Sequence, residues 1–151
     1  HMNLFGTLAG CFGAAVFFGL LFNAPRRTIL PASLLALAGY VVYLIMNEIV
    51  GMPVIGTFLA VVVIAAVGET LASRLRAPAT IYISLAIIPL VPGGGLYDTT
   101  TNLISGELGK AGKAGAETLM IAGAIALAIA IVATIAQVIR GALGKRAKNK
   151  A

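Results

Sequence analysis

The residues best suited to handle a solute lie in one stretch, Pro89-Leu90-Val91-Pro92-Gly93-Gly94-Gly95, followed by Leu96-Tyr97-Asp98-Thr99-Thr100-Thr101-Asn102. Prolines remove backbone donors and clash with the preceding helical turn, and three consecutive glycines favour unwound backbone. A helix that resumes near Leu96 or Tyr97 begins with amides lacking intrahelical partners, at the positive end of its dipole. Such amides bind carboxylates, and glycine lets an anion come close to them. The candidate substrate set is therefore Pro89, Pro92, Gly93, Gly94, Gly95 and Tyr97, with Asp98 at its rim. The competing reading is a kink or an external loop, its amides capped by Asp98 or a threonine hydroxyl; Asp98 suits that role or a solvated one better than a ligand's.

Glu69 is the second candidate. It sits about one turn inside the end of an apolar run, and a carboxylate within a membrane helix is a functional candidate by default, here for coupling transport to an ion. Its plainer role is interfacial, reaching water or the nearby Arg74 and Arg76. Glu48, Glu107 and Glu117 fall at outer ends or in a loop, where solvation accounts for them. Tyr40 and Tyr43 lie too deep in their apolar run for an interfacial aromatic belt. Their hydroxyls need partners, which points them at protein or a cavity.

Other chemistry has little to stand on. Cys11 is the only cysteine, so neither an internal disulfide nor a cysteine metal site can form. The only histidine, His1, precedes Met2 in the manner of a tag remnant and is set aside. No nucleophile comes with a base, and the glycine run lacks the lysine and serine or threonine of a phosphate loop. An enzyme, a metal and a cofactor are all unexpected.

The elements that hold these residues follow from composition. Of 151 residues 60% are apolar and 11% charged, and mean hydropathy is +1.02, against about 45–50% and about 25% in ordinary domains. A body of this size still exposes roughly 30% of its unfolded-chain surface, too much to hide such an excess from water. The fold class is an all-α integral membrane protein in a single domain. Its five transmembrane helices cover about 4–22, 29–46, 54–72, 78–96 and 118–139, and a basic tail occupies 140–151. The fourth is broken: Pro78 to Ile88 spans about 17 Å as helix, little more than half of a ~30 Å hydrocarbon core. To cross, the chain must continue through the Pro/Gly stretch, and unwound backbone at that depth is tolerated only inside protein or along a watery cavity.

Net charge is +6, but the placement argues against nucleic acid. Arg26, Arg27, Arg74, Arg76, Arg140, Lys145, Arg146, Lys148 and Lys150 all flank apolar runs. With five crossings and the N-terminus outside, these nine face the cytosol and only Lys110 and Lys113 lie opposite, a strong positive-inside bias; a re-entrant fourth segment would split them six against five. Small residues four apart, Gly6/Gly10, Ala9/Gly13 and Ala15/Gly19 in the first segment and Ala122, Ala126, Ala130 and Thr134 in the fifth, mark close helix packing within this chain or with another.

Around Ile88 to Tyr97 the sequence resembles the threonine/serine exporter family, in particular its small membrane subunit. The pattern Pro-x-x-Pro-Gly-x-x-x-Tyr is met by Pro89, Pro92, Gly93 and Tyr97, and the family-like Asn-x-Pro after the first helix by Asn23 and Pro25. The likeness runs over nearly the whole chain. It implies a secondary transporter of the bacterial cytoplasmic membrane, driven by an ion or proton gradient, that exports threonine and serine or, in some two-subunit relatives, succinate. It also implies a larger membrane subunit as partner, so that two oppositely oriented halves enclose a site. Alternating access around the broken fourth helix is the expected mechanism. A structural or assembly subunit, and a homo-oligomeric channel, are the alternatives.

Overall fold

The computed structural model describes residues 4–148. The described residues form six α-helices and a 3-10 turn, with no strand among them. Side chains from 143 onward, and so the basic residues Lys145, Arg146, Lys148 and Lys150, lie outside what is described, as does His1.

Helix α1 (Leu4–Leu21) closes with Asn23 in the left-handed region at φ 53°, which asparagine tolerates better than most residues. The Ala24 amide donates to the Gly19 carbonyl at 2.9 Å and the Asn23 amide to Leu20 at 3.1 Å, the paired bonds of a Schellman ending. Pro25 then stands at the N-cap of α2 (Arg26–Val50). The Asn-x-Pro motif is thus a helix-reversing device. Gly51, at φ 66°, ends α2, and Pro53 opens α3 (Pro53–Leu75), where its missing donor costs nothing. Arg76, also left-handed at φ 50°, turns the chain into α4 (Ala79–Ala86). The 3-10 turn Ile88–Leu90 follows, then α5 (Gly93–Ile104) and α6 (Leu108–Lys148).

Helix α3 is the hub, packing on α2, α4 and α6, while α1 packs on α2. The core is built largely from small residues, Ala15, Ala32, Ala36, Ala60, Ala86 and Ala128, with Val61, Ile64, Leu85 and Tyr82 between them. Small side chains let helix backbones approach closely where lipid supplies no hydrophobic drive. At Gly68 a Cβ would lie 2.9 Å from Ile83 on α4, so glycine sets the α3–α4 spacing. On α1, Cys11, Ala15 and Gly19 form the buried stripe. Ala122, Ala126, Ala130 and Thr134 of α6 are exposed, whereas Ala124, Ile125 and Ala128 pack inward.

Helices α1, α2, α3 and α6 are each long and apolar enough to cross a bilayer. Helix α4 and the run from Ile88 to Ile104 pass the same test only together, bent by 40°. The chain is a multi-pass membrane protein with four or five candidate spans. Helix α6 has 41 residues, about 62 Å at 1.5 Å per residue. The apolar stretch 118–139 is its middle part, because Lys, Ala and Leu at both ends keep forming helix past the point where hydropathy falls.

Candidate functional site

The break between α4 and α5 follows from its sequence residue by residue. Pro89 has no N–H to continue α4, and the chain tightens instead: the Leu90 amide donates to Ile87 at 2.8 Å and the Val91 amide to Ile88 at 3.3 Å. Val91, which precedes a proline, is extended at φ −64°, ψ 130°, as the proline ring requires. Pro92, at φ −76°, ψ 58°, is the centre of an inverse γ-turn that the Gly93 amide closes on the Val91 carbonyl at 2.7 Å.

Helix α5 starts on Gly93 with no side-chain cap. The Leu96 amide reaches Pro92 at 3.2 Å, which leaves the Gly94 and Gly95 amides without an acceptor among the described residues. The threonine hydroxyls turn back into their own helix, Thr99 to the Gly95 carbonyl at 2.6 Å and Thr100 to Leu96 at 2.9 Å. Asp98 is exposed and makes no hydrogen bond there. Neither Asp98 nor a threonine hydroxyl caps these amides.

The three glycines are not equivalent. Cβ atoms on Gly93 or Gly94 would meet nothing within 4 Å, whereas one on Gly95 would run into Thr118 of α6. Gly95 is where α5 closes on its neighbour, and Gly93 and Gly94 are where the helix start stands open. Tyr97 is 70% exposed.

Beside the break lies a cavity of about 180 Å³, lined by Tyr40 and Tyr43 of α2, Thr57 of α3, the run Pro89 to Pro92, and Ile121 of α6. The two tyrosines, three residues apart on one helix face, have ring centroids 5.7 Å apart. Thr57 is 2% exposed. None of the three hydroxyls has a hydrogen-bond partner among the described residues, and none of the lining side chains is charged. Tyr40 and Tyr43 are half-buried, and unbonded hydroxyls grouped around one small space are free to bond a polar group placed there. Pro89 and Pro92 thus line the cavity. Of the other expected site residues, Gly93, Gly94, Gly95, Tyr97 and Asp98 all lie outside the lining.

Glu69 stands elsewhere. It lies twelve residues along α3 from Thr57, about 18 Å. Its carboxylate, 13% exposed, accepts from Arg140 Nη2 of α6 at 2.5 Å. The partner is neither Arg74 nor Arg76 but a residue 71 positions away. Two participants escaped the sequence reading: Arg140 as that partner, and Thr57, one hydroxyl inside an apolar run with no local signal to single it out.

Residues 7–135, most of the chain, match the family model described as Threonine/Serine exporter, ThrE. No curated protein and no solved structure gives a match.

Proposed function

This chain belongs to the threonine/serine exporter family, and on that premise we propose that it forms one half of a secondary exporter of small amino acids. The two halves work by alternating access around the broken segment α4–α5. The segment counts as a fifth crossing, with the N-terminus outside and the basic tail in the cytosol of a bacterial inner membrane, in keeping with the charge distribution.

The observation that carries the reading is the cavity at the break. Its hydroxyls from Tyr40, Tyr43 and Thr57 suit the polar groups of a small solute, and the free Gly94 and Gly95 amides, just past the lining residue Pro92 and outside the lining itself, suit its carboxylate. An uncharged lining favours a zwitterion, whose charges sum to zero, over a dicarboxylate, whose second anion would meet only dipoles. Threonine and serine fit this chemistry better than succinate. Glu69 enters through its ion pair, which ties α3 to α6 far from the solute, and coupling would act by making and breaking that tie.

A partner half is supported by α5. The helix packs on α6 and has no buried residue. Free backbone amides beside exposed Asp98, Thr100 and Thr101 cannot face hydrocarbon; they call for protein or a watery path on the other side. An oppositely oriented half placed there encloses the site between two bodies.

The test is exchange of labelled threonine, serine and succinate in liposomes, with the chain alone and with the larger subunit. Saturable exchange of the amino acids requiring both proteins is expected. Exchange by the chain alone would remove the partner half from the reading. No exchange from a folded assembly of both would leave a structural role.

A further inference from the structure

At the end of the molecule away from the cavity, α3 and α6 diverge into an open groove of about 430 Å³. One part is polar, with Glu69, Arg74 and Arg140. The other is apolar, with Ala66, Val132, Ile135 and Ile139. We propose that this groove binds an anionic glycerophospholipid, its phosphodiester on Arg74 and Arg140 and the start of one acyl chain along the apolar wall.

Charge is the first argument. Glu69 engages Nη2 of Arg140, and Nε of Arg140 donates to the Ala136 carbonyl at 3.3 Å; Nη1 is left without an acceptor among the described residues. No carboxylate pairs with Arg74 among them either. Two guanidiniums against one carboxylate give the polar part a charge of +1, which one phosphodiester balances. The hydroxyls of Thr70 and Ser73, which also line the groove, donate to the backbone carbonyls of Val67 at 2.7 Å and Glu69 at 3.0 Å. The donors left to meet an anion are the guanidiniums, whose planar fork suits phosphate oxygens.

Height and shape are the second. Arg140 is the first charge after the uncharged run Thr118 to Ile139, and Arg74 stands in the last turn of α3. The polar part therefore lies where the apolar spans end, the level of headgroups. From Arg140 to Val132 the wall climbs eight residues, about 12 Å, in the direction an acyl chain takes. Ile135 and Ile139 are both about half exposed, so the wall opens sideways to surrounding lipid. Basic pockets between membrane helices hold anionic headgroups by this combination.

The test is thermal unfolding of the full chain in detergent micelles carrying phosphatidylglycerol, phosphatidylethanolamine or inorganic phosphate. Phosphatidylglycerol should raise the midpoint saturably, and the other two should not. Arg74→Gln should weaken the apparent affinity about fivefold, the worth of one basic side chain at an anionic lipid surface. Arg76→Gln, at the end of α3 but outside the groove lining, should leave it unchanged. An equal response to phosphatidylethanolamine overturns the proposal, and so does an equal response to free phosphate, which would make this an ion site. Equal losses in the two arginine variants would reduce the effect to diffuse surface charge. The lipid ranking of the unaltered chain stands as a test whether or not the variants fold.

Discussion

Helices α4 and α5 flank the bend at Ile87 to Pro92, and they are built for different surroundings. In α4, only eight residues long, Tyr82, Ile83, Leu85 and Ala86 are buried between α2 and α3. In α5, with twelve, nothing is buried and α6 is the principal neighbour. The composition follows: α4 reads ATIYISLA, whereas α5 reads GGGLYDTTTNLI. One half belongs to the chain's own core, and the other leaves its first amides and most of its residues exposed. The difference teaches which side of the break the chain's own core leaves uncovered, and on the proposed reading that is where the partner half completes the site.

Substitutions that treat the halves alike sharpen this contrast most. Leu85→Ala removes a side chain that is 2% exposed and is expected to lower stability by about 2–4 kcal/mol, read from denaturant or thermal unfolding in micelles. Leu96→Ala in α5, at 57% exposure, should stay within about 0.5 kcal/mol. Equal losses would break the comparison.

Next come the glycines. Gly95→Leu forces a side chain into Thr118 and should cost about 1–3 kcal/mol by loosening α5 from α6. Gly94→Leu has open space around it and should fold normally while abolishing exchange by the assembled exporter. If Gly94→Leu unfolds the protein, or folds and still transports, the open helix start is not the binding element.

Smaller effects are expected at single hydroxyls. Thr57→Val should weaken apparent affinity for threonine about three- to tenfold, the worth of about 0.5–1.5 kcal/mol for one hydrogen bond, with stability unchanged; a concentration series of exchange rates reads it. Tyr82 is wholly buried and its hydroxyl has no partner among the described residues. Tyr82→Phe should therefore leave stability unchanged or raise it by up to about 1 kcal/mol, and a clear loss would reveal a partner for that hydroxyl.

Much of this architecture was legible in the residues. Hydropathy marked the four helices long and apolar enough to cross, and Pro89 and Pro92 marked the end of α4 and the turn before α5, because a missing donor and a fixed φ act locally. Asn23 and Pro25 stood out as a pair, and the structure supplies the cause in a left-handed helix ending followed by a helix start. Tyr40 and Tyr43 were legible as needing partners. The rest depends on which helices meet. Gly95 differs from Gly94 only because α6 brings Thr118 against it, and Glu69 finds Arg140 only across the α3–α6 interface. The full length of α6 escaped because membrane hydropathy marks where a helix leaves lipid, not where its backbone stops being helical.

The most direct measurement uses a cysteine at Gly94, where a side chain has room, in a Cys11→Ala background, with the exporter assembled in membranes. Labelling by a membrane-impermeant thiol reagent is followed with and without saturating threonine. Labelling that threonine blocks, and succinate does not, is the result expected of a water-accessible amino-acid site at the break. Failure to label a folded, assembled protein, or labelling that threonine leaves unchanged, would contradict it.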